Sequence, residues 1–192
     1  MPGADLHWIP LGAGTRVVQV SGRLYEAGVA ALQRRPRCAL FHTALVVDTT
    51  DGRYVVEVAP IPDLAGESRG VVATGAVGSR RLGRLRVFRY EVRVWRDGVI
   101  PDLVESVATE RFDLGADRTA ALLALVGQVP TPVWGRDELR AGEMWNSNSV
   151  TSWLLARSGV DMTTVGPPRG GRAPGWDAGI EVAARAPRPA TG

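Results

Sequence analysis

A serine, a histidine and a glutamate in this 192-residue chain have the types and predicted positions to act together on a carbonyl group. Ser147 comes immediately before a predicted helix, where free backbone N–H groups and the helix dipole stabilise negative charge. A neighbouring histidine can take the serine proton if a carboxylate orients its ring. His42 and Glu57 are the pair that fits this scheme, which predicts a nucleophilic serine of the Ser-His-acid type.

Residues 38–59 are expected to place His42 and Glu57 on neighbouring strands. Residues 38–48 and 53–59 are rich in β-branched residues, and Asp51-Gly52 between them is a strong hairpin signal. A turn over residues 49–52 pairs Asp48 with Arg53 and therefore His42 with Ala59. Glu57 is then a diagonal neighbour of His42 on the same face, roughly 7 Å away.

The helix that follows Ser147 is indicated by a broad apolar face that includes Val150, Trp153 and Leu154. We expect it to begin near residue 148 or 149 and to end at Gly159. Several polar residues at its start have two possible roles. Ser147 and Ser149 are a nucleophile and a cap or simply two helix caps, and Asn146 and Asn148 either cap the helix or donate hydrogen bonds to an oxyanion.

The tryptophans have open roles as well. Trp134, Trp145 and Trp153 are expected to pack around the helix start, and the alternative is that Trp145 and Trp176 form the walls of an apolar substrate pocket. The glycine-rich segment 170–176 is expected to be an ordered wrap or a lid over the cleft, with Arg172 available for a carboxylate or phosphate. Cys38 is expected to be a small buried apolar residue rather than the nucleophile.

Three segments in this order carry a resemblance to a known family: FHTALVV at 41–47, YVVEVA at 54–59 and WNSNSV at 145–150. They resemble the circularly permuted NlpC/P60 hydrolases, the YiiX-like group of papain-like enzymes. The resemblance spans residues 40–159. It implies an α+β fold in which an antiparallel sheet packs against the helix that bears the nucleophile.

By the same resemblance, His42 is the general base, Glu57 orients it, and Ser147 occupies the position of the family's cysteine. The function implied is a hydrolase or acyltransferase acting on an amide or ester carbonyl of a peptide, cell-wall or lipid acyl substrate. The alternative is a catalytically inactive protein that uses the papain-like cleft to bind a peptide or lipid. The serine is a native nucleophile, the mark of a decayed site, or an engineered replacement of cysteine.

The rest of the chain predicts a single domain over residues 1–185 followed by a disordered tail over 186–192. Residues 15–20 and 85–96 have the composition of strands, and residues 24–34 and 117–126 have helical spacing. Asp113 or Asp117 is expected to cap the second of these helices. Beyond Asp161 we expect an irregular wrap.

Composition narrows the function classes. The 23 basic residues are all arginines, a bias typical of GC-rich bacterial genomes, and they are spread along the chain, which disfavours nucleic-acid binding. No segment has the length of a membrane span or the pattern of a secretory signal, so we expect a cytoplasmic protein without stable membrane insertion. One cysteine and two histidines, His7 and His42, predict no disulfide, metal or other cofactor. The oligomeric state is left open.

Overall fold

The computed structural model describes residues 1–11, 34, 36–60 and 70–185 of the chain, and these form an α+β fold with seven strands and three α-helices. Three short 3-10 helices connect them. The strands are β1 (Gly3–Pro10), β2 (Ala39–Asp48), β3 (Arg53–Pro60), β4 (Val71–Ala76), β5 (Arg89–Arg96), β6 (Ala108–Phe112) and β7 (Gly171–Arg172). The helices are α1 (Gly115–Val126), α2 (Ser147–Arg157) and α3 (Trp176–Arg185), and the 3-10 helices are Leu82–Arg84, Arg86–Phe88 and Pro101–Glu105.

Six strands form an antiparallel sheet in the order β4-β5-β3-β2-β1-β6, and β7 pairs with β2 in parallel. The predicted hairpin is confirmed, because Asp48 faces Arg53 across the turn. Its ladder ends at Leu45 and Val56, however, so the expected pairing of His42 with Ala59 does not form. Beyond this point β3 continues along β5, while β2 continues along β1. The two strands therefore separate at the level of His42.

One face of the sheet packs against all three α-helices. Alternate residues of each strand point to this face, as the period of two requires. Leu6 on β1 and Leu45 on β2 meet Leu122 of α1 and Leu154 of α2 there, and all four are 0% exposed. Burial of this apolar surface is the main source of stability of the domain.

The opposite face of the sheet has a smaller apolar cluster and more polar side chains. Ile9, Ala44, Val46, Val55 and Ile100 form the buried cluster, which the 3-10 helix Pro101–Glu105 covers through Leu103. The remaining positions on this face alternate with those of the main core, so the side chains of His42 and Glu57 project here.

Several predicted elements differ in the structure. Strands β1, β4 and β6 were not expected from the sequence, and the predicted strand over 85–96 begins only at Arg89 because a 3-10 helix precedes it. Residues 176–185 form helix α3 rather than an irregular wrap. Helix α1 begins after Leu114 without a side-chain cap, so neither Asp113 nor Asp117 caps it. The predictions for residues 15–20, 24–33 and 186–192 lie outside the described residues.

Candidate functional site

The first turn of α2 is fixed by its own polar residues. Asn146 is the N-cap, and its side-chain oxygen accepts hydrogen bonds from the N–H groups of Asn148 and Ser149. The Ser149 hydroxyl in turn accepts from the Asn146 N–H at 3.1 Å, which completes a capping box. Two of the free donors at the helix start are thereby used, and the cap alternative for Asn146 is confirmed.

Asn148 joins this turn to β2. Its side-chain nitrogen donates to the Phe41 carbonyl at 3.1 Å, and its oxygen accepts from the Thr43 hydroxyl at 3.1 Å. The Leu40 carbonyl is bound by Leu11 on the β1 side, so the Phe41 carbonyl points toward the gap where β3 has left. Asn148 takes the place of the missing strand partner and holds α2 at the two residues that flank His42.

The segment after β7 closes around the same turn. The Pro174 carbonyl accepts from both Asn146 and Asn148, at 2.8 and 2.9 Å, and the Gly175 carbonyl accepts from the Ser149 hydroxyl at 2.7 Å. Gly175 has a φ of +85°, and a β-carbon there would meet the Asn146 side-chain oxygen at 2.6 Å, so only glycine fits. This segment is an ordered part of the site rather than a lid.

A carboxylate also holds this segment. Glu143 accepts from the Gly175 N–H at 2.8 Å and lies 3.5 Å from the Arg172 guanidinium. Burial raises the pKa of Glu143, and the Gly175 hydrogen bond opposes this rise. Arg172 is therefore engaged with the chain's own carboxylate.

Ser147 is the first residue of α2 and is half-buried. The Asn146 side chain takes the next two N–H groups, and no described residue bonds the Ser147 hydroxyl or its N–H. The serine therefore presents a hydroxyl and an adjacent amide donor at the positive end of the helix, the geometry that suits a nucleophile beside an oxyanion.

His42 lies at the same level of β2, but its ring projects from the face away from the α-helices. Its neighbours Phe41 and Thr43 point to the helix side, whereas Ala44 and Val46 share its own side. Burial lowers the pKa of His42, and the charge of Asp102 partly opposes this shift. Among the described residues the His42 ring makes no hydrogen bond, and its lowered pKa favours the neutral imidazole. The ring projects from the face of the sheet opposite α2, and it makes no hydrogen bond with Ser147.

Glu57 shares this face with His42, as the hairpin predicted, but it interacts with different groups. Its carboxylate lies 3.8 Å from Arg93, which also binds the buried Glu91 at 2.6 Å. Burial raises the pKa of Glu57, the Arg93 charge lowers it, and Asp102 raises it further. The structure thus places Glu57 in an ion-pair cluster and gives no hydrogen bond from it to His42.

Asp102 is the residue at this site that the sequence analysis missed. It belongs to the 3-10 helix Pro101–Glu105, and its charge acts on both His42 and Glu57. No spacing rule could have found it, because 60 positions in sequence separate it from His42 and a tertiary contact brings the helix onto the sheet.

Three tentative substrate-binding residues are corrected by the structure. Trp145 and Trp176 are only 2% and 4% exposed, and Trp176 packs on Trp8 with ring centroids 4.8 Å apart, so both belong to the core rather than to a pocket wall. Asn148 uses both of its N–H donors on Phe41 and Pro174, so it has none left for an oxyanion. Cys38 is half-buried rather than buried.

Within the described residues, no group of three or more His, Cys, Asp or Glu side chains is arranged to hold a metal ion. No helix in the same part of the chain is long and apolar enough to cross a membrane.

The chain was compared with protein-family models, with curated proteins and with solved structures, and none of them matches it.

Proposed function

We propose that this protein is a hydrolase or acyltransferase that acts on an amide or ester carbonyl, with Ser147 as nucleophile and His42 as general base. One observation carries the proposal. The cap of α2 leaves the Ser147 hydroxyl and N–H free, while Asn148 holds that turn to Phe41 and Thr43, on either side of His42. The order of the three motifs, similar to that of the permuted NlpC/P60 enzymes, supports the same assignment.

In the proposed reaction, His42 takes the hydroxyl proton as the Ser147 oxygen attacks the carbonyl carbon. The oxyanion that forms accepts a hydrogen bond from the Ser147 N–H. As the tetrahedral species collapses, the imidazolium returns the proton to the leaving amine or alcohol, and an acyl-serine remains. Water or an acceptor alcohol or amine then attacks this ester, with His42 again taking the proton. The lowered pKa of His42 keeps the ring neutral, as a base requires.

Two carboxylates compete for the role of the orienting acid. The resemblance assigns it to Glu57, whereas the electrostatic neighbour of His42 is Asp102. Glu57 is already held by Arg93, which weakens its claim. The Glu57→Gln and Asp102→Asn variants distinguish them, because loss of the true orienting charge lowers the reaction rate on the order of 10²–10⁴-fold.

The test is labelling with a serine-directed fluorophosphonate, followed by intact mass and peptide mapping. We expect one label on Ser147, none in Ser147→Ala or His42→Ala, and a slower rate in only one of the two carboxylate variants. Circular dichroism of each variant checks that it is folded. Absence of label on Ser147 in the unchanged protein contradicts a serine nucleophile. A Ser147→Cys variant that then reacts with iodoacetamide would identify a disarmed cysteine site.

The second candidate is a protein that binds a peptide or lipid at this helix start without catalysis. It is favoured by the absence of a hydrogen bond between Ser147 and His42 and by the projection of the His42 ring from the far face of the sheet. Failure of both the serine and the Ser147→Cys variant to react, in a folded protein, supports this candidate.

A further inference from the structure

An exposed apolar surface lies at the β4 edge of the sheet, far along the chain from the candidate site. It is formed by the two consecutive 3-10 helices between β4 and β5. The large apolar side chains exposed here are Leu82, Leu85, Val87 and Phe88, from 37% for Phe88 to 57% for Leu85. A cluster of this kind is unusual on a protein that contacts only water, and such clusters mark interaction surfaces.

The backbone holds these side chains in place. Leu82, Leu85 and Phe88 are three residues apart, and the N–H groups of Leu85 and Phe88 donate to the carbonyls three residues earlier, at 2.9 and 3.0 Å. Leu85 itself has extended backbone, with a φ of −92° and a ψ of 131°, and joins the two turns. The Val77 N–H bonds to the Phe88 carbonyl at 2.8 Å, which fixes the segment to the end of β4. The apolar surface is therefore a built feature of the fold.

The charged residues within the segment are all basic. Residues 80–89 contain five arginines and no acidic residue. Arg80 is neutralised by Glu138, but the exposed Arg81 and Arg84 make no ion pair with any described residue. A shallow cavity lined by Thr74, Thr131 and Arg89 opens beside them, with hydroxyl and guanidinium donors that suit a phosphate group.

We propose that this surface docks on an anionic membrane. Leu85, Val87 and their apolar neighbours enter the boundary between headgroups and acyl chains, and Arg81 and Arg84 contact lipid phosphates. Aliphatic side chains interleaved with arginines are the pattern of peripheral membrane binding, whereas single-stranded nucleic acid is bound through stacked aromatic rings, of which this surface has only Phe88. The surface needs no membrane-spanning helix and is independent of the chemistry at Ser147.

The test is sedimentation of the full chain with vesicles of phosphatidylcholine alone or mixed with an equal amount of phosphatidylglycerol. We expect binding to the mixed vesicles, weakened by salt. The double variant Arg81→Glu/Arg84→Glu should bind at least about twentyfold more weakly, since each basic residue contributes about fivefold. Leu85→Ser/Val87→Ser should lose about tenfold or more, since both apolar side chains leave the membrane boundary.

Two matched variants serve as controls, because they change the same residue types elsewhere on the surface. Arg169→Glu and Val104→Ser alter exposed residues outside the cluster and should bind as the unchanged chain does. The proposal is overturned if the mixed vesicles are not bound, or if the control variants lose as much binding as the cluster variants. Binding to a duplex DNA that is lost in Arg81→Glu/Arg84→Glu but kept in Leu85→Ser/Val87→Ser would assign the surface to nucleic acid instead.

Discussion

The two faces of the central sheet are made from alternate residues of the same strands, yet they hold different things. On the helix side, neighbouring strands contribute aliphatic and aromatic residues that meet the three α-helices in one large core. On the other side, a small apolar cluster lies among His42, Glu57, Glu91 and Arg93. A period of two thus lets one strand serve stability on one face and carry titratable groups on the other. The start of α2 contacts β2 at Phe41 and Thr43, which flank His42.

The largest expected effect is on the helix side. Leu154 of α2 is 0% exposed in the main core, and Leu154→Ala should lower the free energy of unfolding by about 2–5 kcal/mol, because a cavity is left in addition to the lost burial. On the other face, Glu57→Gln should change it by less than about 1 kcal/mol, because burial already disfavours the charged form. Urea denaturation measures both. A cost for Glu57→Gln as large as that for Leu154→Ala would contradict the division between the faces.

A smaller effect is expected where the faces meet. Asn148→Ala removes the partners of the Phe41 carbonyl and the Thr43 hydroxyl in a 3% exposed position, so it should cost about 2–4 kcal/mol. The matched variant Asn146→Ala removes only a helix cap and its bond to Pro174, and about 0.5–2 kcal/mol is expected. Denaturation of the two variants side by side decides this. If the two variants lose equal free energy of unfolding, the contact of Asn148 with β2 stabilises the protein no more than the Asn146 cap does.

The smallest effect concerns pH and sharpens the description of the polar face. Burial lowers the pKa of His42 and of His7, which project from this face, below their ordinary value of 6.5. The unfolded chain therefore takes up protons first as the pH falls below about 6.5, and the free energy of unfolding decreases until the pH reaches the lowered values.

His42→Gln should remove the part of this decrease that comes from His42, and His7→Gln should remove the part that comes from His7. Denaturant midpoints measured above and below pH 6.5 check this for the unchanged chain, both single variants and the double variant. Asp102 is the acidic group that opposes the shift at His42, so Asp102→Asn should steepen the decrease. If the double variant keeps the pH dependence of the unchanged chain, the two histidines do not take up protons on unfolding.

Local sequence signals predicted the parts of the fold whose contacts are local. The Asp51-Gly52 turn set the pairing of Asp48 with Arg53, and apolar spacing located α1 and α2. The separation of β2 and β3 was not predictable, because it depends on Asn148, more than 100 positions away, taking the free carbonyl of Phe41. The candidate residues could therefore be selected by type and chain order, but the hydrogen bonds and ion pairs that hold them could not be predicted.

Helix α3 shows a second reason for failure. Gly179 lies where α3 crosses α2, and a β-carbon there would come within 2.1 Å of the Ser149 carbonyl oxygen. The glycine is required by the close approach of two helices, a contact that the sequence does not display. The strand β1 was missed although Ala4, Leu6 and Trp8 alternate with polar residues, because its partners β2 and β6 are distant in sequence.

The carbonyl of Pro174 has a consequence for the order in which the molecule can be completed. During synthesis Asn146 and Asn148 leave the ribosome before Pro174, so for that interval the two N–H groups that bind the Pro174 carbonyl have only water to bind. The first turn of α2 therefore makes all of its hydrogen bonds only after residues 171–176 have been synthesised. Completion of the helix start is thus tied to a late event of translation, and a nascent chain stopped before residue 174 lacks both hydrogen bonds to the Pro174 carbonyl.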